Sequence, residues 1–241
     1  MKSLLFSLAL VPTLAFAAAD GASAAGAAPP ALDKARTAVV ITDPQNDFLS
    51  EDGKLYGLVA ENMKELNTIA NIEALMQAAK TADVTLAVDP LVYSALDADW
   101  SRAGALQRQL LDMGALQRVA MHAPEGFEGS GADFYAPYKP YIYDGKTIIA
   151  APHKMYGPES NDLIYQLRAR GIDTVILAGL VANLCVDSHM RGLMENGFKV
   201  YVVRDAVAAP GKDAYNAALV NYGMIANGVL TTREATQALS R

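Results

Sequence analysis

Cys185 is the only cysteine in the 241 residues, and the residues around it are arranged as they would be around a nucleophile. It follows the apolar run 173–179, where a buried strand is expected to give way to a helix beginning near Asn183. A thiol in the first turn of a helix meets the positive end of the backbone dipole, which favours thiolate over thiol. The competing reading is a small buried apolar residue. Two other reactive side chains follow predicted strands in the same way. Asp43 opens the stretch Asp43-Pro44-Gln45-Asn46-Asp47-Phe48, and Lys154 lies within Pro152-His153-Lys154-Met155-Tyr156.

The elements that must position these groups are short apolar runs separated by longer segments of helical spacing. Strands are expected at 38–42, 84–88, 147–150, 174–178 and 200–203, with a weaker one at 228–230. Runs that are apolar on both faces suit a parallel sheet covered on each side by helices. Leu66, Ile69, Ile72, Met76 and Ala79 keep helical spacing before the second strand, and Leu163 and Leu167 do so before Gly171. After Cys185, the residues Val186, Met190, Leu193 and Met194 form an i, i+4, i+7, i+8 stripe that Gly197 closes. Alternation of this kind predicts a single-domain α/β fold, an open, mostly parallel six-stranded sheet with helices on both faces. Ligands of such sheets bind beyond the carboxyl ends of the strands. One carboxylate, one ammonium and one thiol are therefore expected at one sheet edge.

Upstream of this domain, Lys2, the apolar run 4–14 and Ala15-Phe16-Ala17 read as a secretory signal peptide over 1–17, too short for a permanent membrane anchor. Residues 18–36, rich in Ala, Gly and Pro, read as a flexible leader, and 37–241 as the folded domain. The expected location is exported, periplasmic or secreted, with a free thiol because no second cysteine exists to pair it. The net charge of -6 carries no Lys/Arg run, which argues against nucleic acid or an anionic membrane as partner. The expected partners are a small-molecule substrate and further copies of the chain in a homo-oligomer, a dimer or tetramer, which the apolar composition permits.

Three stretches carry a resemblance: Val-Val-Ile-Thr-Asp-Pro-Gln-Asn-Asp-Phe at 39–48, Val-Ile-Leu-Ala-Gly-Leu-Val-Ala-Asn-Leu-Cys-Val at 175–186 and Val-Val-Arg-Asp-Ala at 202–206. Together, in this order, they resemble the isochorismatase-like cysteine hydrolases, which include nicotinamidases, N-carbamoylsarcosine amidohydrolases and ureidoacrylate hydrolases. The resemblance implies a catalytic triad of Asp43, Lys154 and Cys185, an oxyanion hole from the backbone N–H groups of Val181 and Cys185, and a cis peptide at Leu180-Val181. Independently of it, thiolate attack on an amide needs a group to take the thiol proton and return it to the departing nitrogen, a role that Asp43 fits. A nearby ammonium would lower the thiol pKa. The family's lysine register falls on Ala150 here, which leaves Lys154 as the nearest lysine beyond the strand end. Phe48 and Tyr156 flank this triad and are the expected substrate-binding aromatics.

Nicotinamidase-like members carry an Asp-x-His…His metal site after the second strand. The matching stretch 88–100 has Asp89 but no histidine, so no metal and no cofactor are expected. His189, four residues after Cys185, is expected to pack beneath the active-site loop with one ring nitrogen on the backbone; a His–Cys dyad is the competing arrangement. His153 is placed at the pocket mouth. The expected function is metal-independent hydrolysis of a C–N bond in a small amide, ureido or carbamoyl compound through a thioester. The alternatives are isochorismatase-type vinyl ether hydrolysis and a non-hydrolytic thiol binding or redox protein on the same scaffold.

Overall fold

The computed structural model describes residues 30–241. The expected signal peptide, and all of the expected leader up to residue 29, lie outside the described residues. The end of that leader is structured. Lys34–Arg36 form a 3-10 turn capped by the Asp33 side chain, and the Arg36 guanidinium pairs with Asp173 at the head of the fourth strand. Leu32 packs against the core, so ordered structure begins a few residues before 37.

Six strands form one wholly parallel sheet: β1 (Thr37–Thr42), β2 (Thr85–Asp89), β3 (Ile148–Ile149), β4 (Thr174–Leu180), β5 (Lys199–Ala208) and β6 (Gly228–Leu230). Their order is β3-β2-β1-β4-β5-β6. All six predicted strands are present. β3 is shorter than its apolar run suggests, whereas β4 and β5 extend further. Every residue of β1 and β4 is buried, which is why both read as unbroken apolar runs instead of alternating ones.

The helices are α1 (Asn46–Leu49), α2 (Tyr56–Leu66), α3 (Thr68–Thr81), α4 (Ala105–Asp112), α5 (Lys139–Ile142), α6 (Leu163–Ala169), α7 (Asp187–Glu195), α8 (Lys212–Ile225) and α9 (Thr232–Ser240). The stripe predicted across 66–79 is split by Asn67, whose left-handed backbone (φ 56°) ends α2 and starts α3. Asp205, after the apolar run of β5, caps α9 by accepting from the Thr232 N–H and hydroxyl.

Strand register sets the site. Thr42, the last residue of β1, lies opposite Asp89 on one neighbour and Gly179 on the other, so three strands end at one level. The Thr42 hydroxyl donates to the Leu180 carbonyl at 3.1 Å. A Cβ on Gly179, whose φ is +119°, would lie 2.2 Å from the Thr42 carbonyl oxygen. Only glycine allows this approach of β4 to β1.

Candidate active site

Asp43 follows β1 in a left-handed conformation (φ 50°), with its N–H donating to the Asp89 carbonyl at 2.9 Å. Two residues on, the buried Gln45 side chain donates to the Leu91 and Ala132 carbonyls and accepts from the Leu91 N–H. These bonds lock the β1 exit to the segments that follow β2 and precede α5. Asp47 serves the same loop, accepting from the Leu116 and Lys54 N–H groups.

Cys185 lies in a five-residue π-helical turn, Ala182–Val186, that leads directly into α7. The fully buried Tyr222 of α8 anchors the start of this turn, its hydroxyl donating to the Ala182 carbonyl. The cis peptide at Leu180-Val181 is present just ahead of it. The Cys185 side chain is 4% exposed and its thiol donates to the Met155 carbonyl at 3.1 Å. Burial pushes its pKa well above the ordinary 9.0, the negative charge of Asp43 pushes the same way, and the Val181 N–H facing the sulfur opposes them. The expected resting thiolate is therefore corrected to a resting thiol. The helix start favours the anion less than burial and the neighbouring carboxylate disfavour it.

Lys154 does not join them. Its Nζ lies 2.6 Å from Asp97 Oδ2 and 3.3 Å from the Val92 carbonyl. The reason is the path of the chain beyond β3. His153 pairs with Leu91 in an isolated parallel bridge, and from Lys154 onward the chain bends away. Lys154 therefore faces Asp97 while His153 faces inward. His153, fully buried, sets Nε2 at 2.9 Å from Asp43 Oδ1. The position expected for a lysine cation is filled by an imidazole. Burial opposes a charge on this ring, but Asp43, then Asp89 and Glu159, outweigh it and raise its pKa above 6.5.

A second buried pair lies alongside. His189 on α7 donates from Nδ1 to the Cys185 carbonyl at 2.7 Å, and its Nε2 meets Asp89 Oδ2 at 2.6 Å. One ring nitrogen is thus on the backbone of the cysteine turn, as the sequence suggested. The two imidazoles stand edge to face, centroids 5.0 Å apart. The other Asp89 oxygen accepts from the Asn161 amide. The expectation that Asp89 stands without histidines is overturned: His153 and His189, 36 residues apart in the chain, converge on it with donor atoms within 4.8 Å. Both Asp89 oxygens, both His189 nitrogens and His153 Nε2 already have hydrogen-bond partners, leaving His153 Nδ1 alone. Asp89, His153 and His189 thus offer a carboxylate oxygen and two ring nitrogens within reach of one another, a set that could hold a metal ion, and in this structure these atoms bond to one another and to Asp43, Asn161 and the Cys185 carbonyl.

Of the expected pocket aromatics, Tyr156 is 41% exposed and close enough to Cys185 for that group to raise its pKa, after burial. Phe48 is taken up by the core, 3% exposed. Sequence reading missed Tyr93, whose hydroxyl contacts Met155 Sδ at 3.0 Å and whose pKa is raised by burial, then by Cys185 and Asp43. It lies in the stretch 88–100 inspected for histidines, where a lone tyrosine gives no periodic signal.

A family model, the isochorismatase domain, matches residues 37–234. The chain belongs to the isochorismatase family. Within it, a ureidoacrylate amidohydrolase from Methylobacterium radiotolerans is 26% identical over 202 residues, covering 80% of this chain and 75% of that protein. An uncharacterized isochorismatase family protein of Escherichia coli O157:H7 is 42% identical over 55 residues, a match confined to 23% of this chain and 29% of its own length. The solved structure of a cysteine hydrolase from Pseudomonas syringae superposes with a TM-score of 0.70 at 22% identity, covering 90% of this chain and 99% of that one. That likeness shows the isochorismatase-like fold.

Proposed function

We propose that this isochorismatase-family chain is a cysteine hydrolase that cleaves the C–N bond of a small amide, ureido or carbamoyl compound through a thioester on Cys185. The observation that carries the reading is a buried thiol close enough to the buried Asp43 carboxylate for that group to raise its pKa, with the carboxylate's Oδ2 left without a hydrogen-bond partner. That oxygen is the free acceptor for the thiol proton. As the sulfur attacks the carbonyl carbon, the S–H proton passes to Asp43 and the carbonyl electrons move onto oxygen. The N–H groups of Val181 and Cys185 stabilise that oxyanion. Collapse of the intermediate breaks the C–N bond, Asp43 returns the proton to the departing nitrogen, and an acyl-thioester remains. Water then attacks it with Asp43 again as base, releasing the acid and restoring the thiol.

The raised thiol pKa fits this order of events, since the proton leaves in concert with attack and no standing thiolate is required. A cysteine only 4% exposed suits a small acyl compound and not a polymer. The relatives' chemistry, hydrolysis of a ureido acid among them, supports the same substrate class. The test is release of ammonia or amine from a panel of primary amides, ureido acids and N-carbamoyl compounds by the parent, Cys185→Ser and Asp43→Asn proteins. Turnover by the parent and its loss in both variants is expected. Parent-level turnover by Cys185→Ser, or none by the parent on any of the three classes, overturns the reading.

A further inference from the structure

We propose that His153 is the positioning residue for the Asp43 carboxylate, replacing the lysine that the sequence resemblance implies there. This rests on the hydrolase reading above, because the proton that Asp43 handles is the thiol's.

Three observations carry it. Asp43 makes one side-chain hydrogen bond, Oδ1 to His153 Nε2 at 2.9 Å, and its Oδ2 is buried without a partner. A carboxylate held by a single oxygen is fixed in rotation, and the other oxygen is left for the reaction. The backbone on both sides of His153 is pinned, its N–H donating to the Pro90 carbonyl at 2.9 Å and its carbonyl accepting from the Val92 N–H at 3.3 Å. The ring therefore has a fixed origin, and the edge of His189 packs against it at 5.0 Å. The only lysine nearby on this segment is committed elsewhere, 2.6 Å from Asp97. A lysine would supply a point charge; an imidazole supplies a directed N–H, which fixes orientation more narrowly.

The test compares His153→Gln with His153→Asn. The Gln amide can place its N–H near the position of the imidazole Nε2, whereas the Asn amide falls short and reaches only the Nδ1 position. Both are neutral and polar, and a role confined to filling space predicts a lower unfolding midpoint for the shorter Asn but an unmoved Asp43 and similar kcat in the folded variants. The positioning role predicts that His153→Gln keeps kcat within about tenfold of the parent while His153→Asn loses on the order of 100-fold in kcat, with KM changed less than about threefold in each. Crystal structures of the two variants separate this proposal from the hydrolase reading, because they need no substrate. Asp43 should keep its orientation in His153→Gln and lose it in His153→Asn. Equal kcat in the two variants, or an unmoved Asp43 in His153→Asn, overturns the proposal.

Discussion

Lys154 and Asp97 form a contact at 2.6 Å, while the neighbouring His153 meets Asp43 at 2.9 Å. The lysine is 28% exposed but the Asp97 side chain only 7%, so removing Lys154 leaves a buried carboxylate held by the Ser94 N–H and hydroxyl alone. Lys154→Ala should leave kcat within about twofold and cost on the order of 1–3 kcal/mol of stability, since the carboxylate it leaves behind is buried. Steady-state kinetics and urea unfolding check both. A loss of several orders of magnitude in kcat would restore Lys154 to the triad.

Gly179→Ala should be far more damaging although the residue touches no substrate. The added methyl group meets the Thr42 carbonyl at 2.2 Å in a backbone conformation that L side chains rarely adopt. Destabilisation of at least about 2 kcal/mol is expected. The strand ends that align Asp43 with Cys185 would separate, so activity should fall with stability. Unfolding midpoints and kcat measured together check this, and an unchanged midpoint contradicts it.

The His153–Asp43 pair should show in stability against pH. The folded-state pKa of His153 is raised above 6.5, by Asp43 in opposition to burial, with Asp89 and Glu159 adding to Asp43. The folded state therefore holds its proton where the unfolded state has released it. This contribution is complete below about pH 6.5 and is lost as pH rises through the folded value. Urea midpoints of the parent should decline across that window more than those of His153→Gln, which has no proton to lose. Parallel curves would mean that the ring is neutral in the folded protein.

Cys185 should behave as a poorly ionised thiol. Its pKa is pushed well above 9.0 by burial and then by Asp43, so its rate of alkylation by iodoacetamide should keep rising with pH beyond 9. Asp43→Asn removes the second influence and should shift the profile to lower pH. A plateau near pH 7 in the parent would indicate a resting thiolate.

The sheet was legible because its strands are buried on both faces. The runs at 38–42 and 174–178 are apolar for that reason, and the small residues at 178–179 mark where β4 meets β1. Asp43 and Cys185 were legible for the same reason, since each directly follows such a strand. The third member was not. The choice between His153 and Lys154 depends on where the chain after β3 leaves its pairing and bends, and that point is set by the His153–Leu91 bridge, a contact between chain segments that no local pattern records. The meeting of Asp89 with His153 and His189 was hidden likewise, because three different elements supply them. Phe48 read as a pocket residue from its nearness in sequence to Asp43, but the short α1 turns it into the core.

The most direct measurement of the central claim is intact-protein mass spectrometry after rapid acid quench during turnover of a compound that the protein hydrolyses. The parent should carry an added mass equal to the substrate less its amine leaving group, on the peptide that holds Cys185, and Cys185→Ala should carry none. Hydrolysis that continues in Cys185→Ala with no adduct at any time point would contradict covalent catalysis at this sulfur.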